Sequence, residues 1–124
     1  MQKLLLIGLA GALGALARYG LGGLVQRYAG VTFPWGTFVV NIIGAFLFGF
    51  IWSLVEQRLV ISVETRVIIL SGFLGAFTTF SSFMFETSSL IGEAQWGLAV
   101  LNVVGQVILG LMAMFLGLAA GRVF

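Results

Sequence analysis

One stretch of the third apolar segment decides how this chain can fold. Residues 72–87 read GFLGAFTTFSSFMFET, where two glycines precede a Thr-Thr pair and phenylalanines alternate with hydroxyl residues. Glycines followed by threonines near mid-membrane predict a helix break between Gly75 and Thr79. A break frees backbone carbonyl groups, which protein, water or an ion must then satisfy. We therefore expect the informative chemistry of the chain to lie here.

The sequence around this stretch is that of a membrane protein. Of 124 residues, 60% are hydrophobic and 8% are charged, whereas soluble domains carry about 25% charged residues. Four apolar segments, at about residues 4–26, 34–55, 67–91 and 96–123, each approach the ~20 residues that cross a bilayer core. The ten-residue alternation of a transmembrane barrel is absent from the sequence. These features predict an all-α membrane protein, with four transmembrane helices forming one domain over residues 1–124.

Several other classes of protein are disfavoured. The apolar run after Lys3 is longer than that of a signal peptide and contains Arg18, so a retained helix is expected. The chain has no cysteine or histidine, which removes disulfides, thiolate catalysis and the usual transition-metal ligands. The net charge of +2 gives no nucleic-acid patch. No nucleophile–base pair or organic-cofactor motif is visible, so an enzyme is not expected.

Charge and small residues bear on insertion and assembly. The side holding the termini and the second connection is only modestly richer in Lys and Arg, so the positive-inside rule does not settle one orientation. Small residues recur at four-residue spacing, which lets helices approach closely and favours a homo-oligomer. These pairs are Gly8/Ala12, Gly11/Ala15, Ala45/Gly49 and Gly117/Gly121.

Polar residues inside apolar segments are the candidates for function, because unpaired polar groups are costly in lipid. Arg18 either snorkels to the interface or makes a vestibule positive for anions. Asn41 shares a helix face with Thr37 and is either interhelical glue or a donor along a path. The rings and hydroxyls after the break are either aromatic core packing or an anion path. The second interpretation is physically open because ring edges carry positive partial charge. The other embedded polar residues are Glu86, Asn102 and Gln106.

Three motifs together resemble one family. They are GALARY at residues 14–19, PWGTFVVN at residues 34–41, and the glycine-rich Thr-Thr-Phe-Ser block that runs from residue 72 to Glu86. In this order and spacing the chain resembles the small bacterial fluoride channels, the CrcB-type fluoride exporters, over its whole length.

The resemblance implies an antiparallel homodimer of one chain inserted in both orientations, with two pores at the dimer interface. It further implies passive export of fluoride across the bacterial inner membrane, with fluoride, the bilayer and a second copy as partners. Gly75 and Thr78 match positions whose backbone carbonyls hold a structural sodium ion, and Arg18 matches an arginine at the pore mouth. The expected pore residues are Asn41, Phe80, Phe83, Ser81, Ser82, Thr37, Gln106 and Glu86.

The sequence departs from the family in its fourth helix, where members often carry hydroxyl residues. Gly110 and Met114 stand at those positions, and Gln106 lies on the same stripe. Either Gln106 substitutes as the donor, or the polar track is thinner in this protein. The alternative function is a small proton-coupled multidrug exporter, another four-helix class. Such an exporter needs an embedded acid, typically in the first helix; here only Glu86 is well embedded.

Overall fold

The computed structural model describes residues 1–58 and 61–124, which form four long helical segments. Helix α1 covers Gln2–Ala29 and α2 covers Trp35–Arg58. The third segment consists of α3 (Val63–Val67), a π-helical stretch (Ile68–Leu74), α4 (Gly75–Phe77) and α5 (Phe80–Gly92). Helix α6 covers Trp96–Val123.

All four segments are long and apolar enough to cross a membrane, which confirms the predicted all-α, four-span architecture. The third segment begins at Val63, a turn earlier than predicted, because Ser62 caps α3 by accepting a hydrogen bond from the Thr65 amide. Residues 59 and 60, within the predicted second connection, lie outside the described residues.

Glycines set the closest helix pairings. Helices α2 and α6 cross at Gly49, Gly117 and Gly121, where a Cβ at Gly117 would collide with the Phe46 carbonyl oxygen and one at Gly121 would lie 2.7 Å from the Phe50 carbonyl oxygen. On α1, a Cβ at Gly14 would collide with the Phe73 carbonyl oxygen. The predicted close packing is thus present at these three α2–α6 positions, whereas the close approach at Gly14 was not among the predicted pairs. At Gly8 no atom lies within 4 Å of an added Cβ.

The core of the protomer lies between α1, α2 and the π-helical stretch. Val40 is fully buried and packs with Leu70, Leu74 and Phe77. Most of the remaining surface of α1 and α6 is apolar and exposed, as a lipid-facing or partner-facing surface must be. This arrangement places the end of α4 and the start of α5 beside the middle of α2.

Candidate functional site

The third segment is interrupted at Thr78 and Thr79. Thr78 has φ −86° and ψ 158°, and Thr79 has φ −147° and ψ 120°, so both residues are extended between two helices. The break lies at the C-terminal end of the predicted range and confirms it. The Thr79 hydroxyl caps α5 by accepting from the Ser82 amide at 3.2 Å, and the Thr78 hydroxyl donates to the Leu74 carbonyl at 3.0 Å.

Side chains from α1 and α2 satisfy the backbone that the break exposes. Asn41 Oδ1 accepts from the Thr79 amide at 2.9 Å, and Asn41 Nδ2 donates to the Thr79 carbonyl at 3.0 Å. Arg18 Nε donates to the Ala76 carbonyl at 3.0 Å. Backbone groups in a membrane must find such partners inside the protein. Arg18 and Asn41 therefore stabilise the break from two sides.

A cleft of about 350 Å³ lies beside the break and contains both residues predicted to hold sodium, Gly75 and Thr78. The Thr79 amide donates to Asn41, so the Gly75 carbonyl does not have the amide four residues later as its helical partner. Residues 1–58 and 61–124 contain no cluster of three His, Cys, Asp or Glu side chains. Carbonyl oxygens are ligands that suit a hard cation.

Two phenylalanines follow the break with their rings edge to face. The centroids of Phe80 and Phe83 lie 6.0 Å apart at an interplanar angle of 80°. Phe83 is buried, whereas Phe80 is 72% exposed on the surface of the protomer. Ser81 is exposed beside Phe80, and its hydroxyl lies 3.5 Å from that of Thr79, while Ser82 is partly buried. The Phe80 ring and the Ser81 hydroxyl thus lie next to each other on the exposed surface of the chain.

Thr37 and Glu86 meet one helical turn from Asn41. The Thr37 hydroxyl donates to Glu86 Oε1 at 2.6 Å. The other carboxylate oxygen, Oε2, is buried and has no hydrogen-bond partner among the described residues. Glu86 also lines a cleft of about 350 Å³ with Gln26 and Glu93. The structure therefore brings together α2 and α5 at a second polar contact.

A buried row of amides continues from Asn41 across α6. Asn41 Nδ2 donates to Gln106 Oε1 at 2.8 Å, and Gln106 Nε2 donates to Asn102 Oδ1 at 2.9 Å. Asn102 Nδ2 donates to the Thr87 hydroxyl at 2.9 Å. Sequence reasoning noted Asn102 as an embedded polar residue and assigned it no role, and it assigned none to Thr87. The four-residue spacing of Asn102 and Gln106 was the available signal.

A larger cavity of about 800 Å³ lies on the α1 side of the break and contains the vestibule candidate Arg18. Arg27, Thr37 and Thr79 also line it. Gln26, at the edge of the cavity, holds the start of α2 by two hydrogen bonds. Its Oε1 accepts from the Gly36 amide at 3.0 Å, and its Nε2 donates to the Phe33 carbonyl at 2.8 Å. Two arginines, Arg18 and Arg27, therefore lie beside this cavity.

Helix α6 is the fourth predicted span, and its two positions without the expected hydroxyl residues, Gly110 and Met114, lie next to the site. Met114 lines the cleft with Gly75 and Thr78, and an added Cβ at Gly110 would lie 3.9 Å from Ile42 Cδ1. Neither residue supplies a side-chain hydrogen-bond donor there. The polar side of α6 facing the break is formed by Gln106 and Asn102.

A four-span chain with a broken helix, whose exposed backbone is satisfied by polar side chains of neighbouring helices, has the architecture of channels and transporters. Comparison with known families narrows this class. Residues 5–118 match the family described as CrcB-like protein, Camphor Resistance (CrcB), and the chain belongs to that family.

Curated relatives cover nearly the whole chain. A protein of Nitrosococcus oceani and one of Nitratidesulfovibrio vulgaris strain Miyazaki F are each 54% identical over 122 residues, covering 98% of both chains. A relative in Opitutus terrae is 46% identical over 119 residues, 94% of this chain and 90% of its own. All three are named fluoride-specific ion channel FluC. The resemblance found in the sequence is thereby confirmed, and these relatives are named as channels and not as enzymes.

Proposed function

We propose that this protein is a fluoride-selective channel that passively exports fluoride across the bacterial inner membrane. Relatives of 54% identity over 98% of both chains carry the name of fluoride-specific ion channels. The observation that carries the proposal is the break itself, flanked by the edge-to-face pair Phe80 and Phe83 and by an amide from α2. The same family match disfavours the multidrug-exporter alternative.

The exposed ring of Phe80 supports a path shared between two copies. A phenyl ring that is 72% exposed beside the exposed Ser81 hydroxyl supplies positive ring edge and a hydrogen-bond donor on one surface. A second copy in the opposite orientation would cover this surface and complete the wall. Fluoride holds its hydration shell strongly, so only a narrow path with several close donors replaces that water. We propose that the antiparallel homodimer forms two such paths.

A sodium ion at the centre of the dimer is part of the proposal. Gly75 and Thr78 line one cleft, and a two-fold partner would bring the number of their backbone carbonyl oxygens from two to four. Sodium would supply positive charge that stabilises the two broken helices and an anion nearby. The protein's own part is to hold these carbonyls in place, through the bonds of Asn41 to Thr79.

The direction of flow follows from the membrane potential. A negative interior drives an anion outward with about 2.3 kcal/mol per charge at 100 mV. Arg18 and Arg27 concentrate anions in the cavity on the α1 side. Thr37 lines the same cavity and donates to Glu86 of α5, so an anion gathered in the cavity would lie close to this pair.

The test is fluoride efflux from liposomes that contain the purified protein, followed with an ion-selective electrode and with chloride as the comparison ion. Rapid fluoride efflux without chloride efflux is expected. Phe80→Ile should reduce it strongly because Ile has no polarised ring edge. The matched control is Phe85→Ile, which replaces an equally exposed ring, 71% against 72%, on the same helix. Equal efflux in both variants would refute the role of Phe80, and no fluoride efflux from folded wild-type protein would refute the function.

A further inference from the structure

Four polar side chains, one partly buried and three buried, form a single directed chain of hydrogen bonds, here termed the amide ladder. Its members are Asn41, Gln106, Asn102 and Thr87, in that order. The last member donates from its hydroxyl to the Phe83 carbonyl at 2.8 Å. Every bond runs donor to acceptor in the same sense, away from the break and toward Phe83. Aligned bonds of this kind polarise and strengthen one another.

The backbone determines the direction of the ladder. Amide oxygen and nitrogen atoms are nearly interchangeable in shape, so their orientation follows from their partners. The Thr79 amide can only donate, which places Asn41 Oδ1 against it. Asn41 therefore presents Nδ2 to Gln106, which must answer with its oxygen. The same requirement passes to Asn102 and Thr87 and ends at the Phe83 carbonyl, which can only accept.

The ladder lies behind the proposed path. Asn102 is fully buried and Gln106 is 7% exposed, while the exposed groups at the break are Phe80 and Ser81. Both hydrogens of Asn41 Nδ2 are engaged, one with Thr79 and one with Gln106. Gln106 uses its oxygen for Asn41 and its nitrogen for Asn102, so its side chain faces other amides.

We infer that Gln106, Asn102 and Thr87 are positioning residues. They fix the orientation of the Asn41 amide and hold the helix break in register with Phe83, so that the edge-to-face pair keeps its geometry. This inference rests on the proposed channel function. It assigns Gln106 a structural task in place of direct donation to the anion, and it extends the functional residues to Asn102 and Thr87.

The inference is tested by breaking the ladder at both ends. Thr87→Val is isosteric and removes the terminal hydroxyl, and Gln106→Leu removes the central amide. Each single variant should lower fluoride efflux about tenfold, the factor that corresponds to one buried polar group left unpaired. The double variant should lose about tenfold as well, because either change already disrupts the whole ladder. Residues that act independently would instead show multiplied losses, about a hundredfold.

A conservative replacement separates positioning from packing. In Gln106→Glu the protonated acid can accept from Asn41 and donate to Asn102, as the amide does, whereas the ionised form can only accept. Efflux through this variant should rise as pH falls, while Gln106→Leu should stay low across the same range. Leakage from protein-free liposomes is subtracted at each pH, and Gln95→Leu, which replaces an exposed glutamine before α6, is the matched control.

The pH profile of fluoride efflux through the wild-type protein is the control for the titration of groups other than residue 106. Helix α5 carries Glu86, and Arg18 of α1 bonds to Ala76 at the break. Among the side chains that the structure describes, the other ionisable groups of α2 and α6 are those of Glu56 and Arg122, which lie near helix ends. The profile of Gln106→Glu is therefore compared with that of the wild type over the same range.

Each outcome is decisive. Absence of fluoride efflux from folded wild-type protein refutes the proposed function and not the ladder's geometry. Efflux in the wild type with unchanged efflux in Gln106→Leu overturns the inference. Multiplied losses in the double variant, or low efflux of Gln106→Glu at every pH, would also overturn it.

Discussion

Removing the Asn41 side chain should loosen the helix break by a calculable amount. Asn41→Ala deletes three hydrogen bonds, two to Thr79 and one to Gln106. Bonds between membrane helices contribute about 0.6 kcal/mol each by double-mutant cycles, which gives about 2 kcal/mol. Leaving three polar groups unpaired in a dry interior would cost more, about 1–3 kcal/mol each.

The surroundings of Asn41 decide between these magnitudes. Asn41 lines the cleft of about 350 Å³ beside the break, so water can reach the groups that the substitution leaves behind. The lower value therefore applies, and about 2 kcal/mol corresponds to a factor of about 30 in the opening equilibrium. Asn41→Asp should not restore the break, because a carboxylate accepts from the Thr79 amide but faces two further acceptors, the Thr79 carbonyl and Gln106 Oε1.

The assay is hydrogen exchange at the Thr79 amide in protein reconstituted into lipid. Exchange should accelerate about 30-fold in Asn41→Ala, with fluoride efflux reduced in parallel. Ser88→Ala is the control, since it also removes a side-chain bond to backbone on α5, at 2.9 Å to the Phe85 carbonyl, but at an exposed position. If the Thr79 amide in Asn41→Ala exchanged as slowly as in the control, Asn41 would not stabilise the break.

Three further substitutions test helix packing at two glycines and the role of the arginine at the break. Gly44→Ala would push a Cβ into Thr78 Cγ2 and should destabilise the folded protein by about 1–3 kcal/mol. Adding Thr78→Ser removes that methyl group and should restore both thermal stability and fluoride efflux. If the second substitution did not restore them, the clash with Thr78 would not be the cause. Gly117→Val puts a Cβ 2.9 Å from the Phe50 amide nitrogen, so Tm in detergent should fall by several degrees. Gly97→Ala, where no atom lies within 4 Å of the added Cβ, should leave Tm unchanged or raise it. Equal Tm values in the two variants would contradict the close α2–α6 crossing. Arg18→Met loses the charged hydrogen bond to the Ala76 carbonyl, and such a bond contributes about 1.5–3 kcal/mol. Fluoride efflux should therefore fall more in Arg18→Met than in Arg18→Lys, which keeps the positive charge. Equal efflux in the two variants would show that the charge at Arg18 has no role.

The spans and the position of the break could be predicted because they depend on local sequence. A segment of about 20 apolar residues is stable across a bilayer whatever its neighbours are. The Gly-Ala-Phe-Thr-Thr sequence before Phe80 weakens a helix locally, and the structure has its extended residues at Thr78 and Thr79. The start of the third segment was placed late because Ser62 caps a charged turn, Glu64 to Arg66, that hydrophobicity does not mark.

The partners of the polar residues were decided only by the tertiary structure. An embedded Asn can donate, accept or do both, so helical spacing left Asn41 between glue and path; the structure pairs it with Thr79, 38 residues away, and with Gln106, 65 residues away. Arg18 was equally open, and its bond to the Ala76 carbonyl spans 58 residues. Sequence by itself determined that polar groups are buried in lipid-spanning helices at a cost. The close approach of α1, α2 and α6 around one broken helix decided which hydrogen-bond partners offset the cost of burying these polar groups. Hydrogen bonds depend on distance in space and not on distance along the chain.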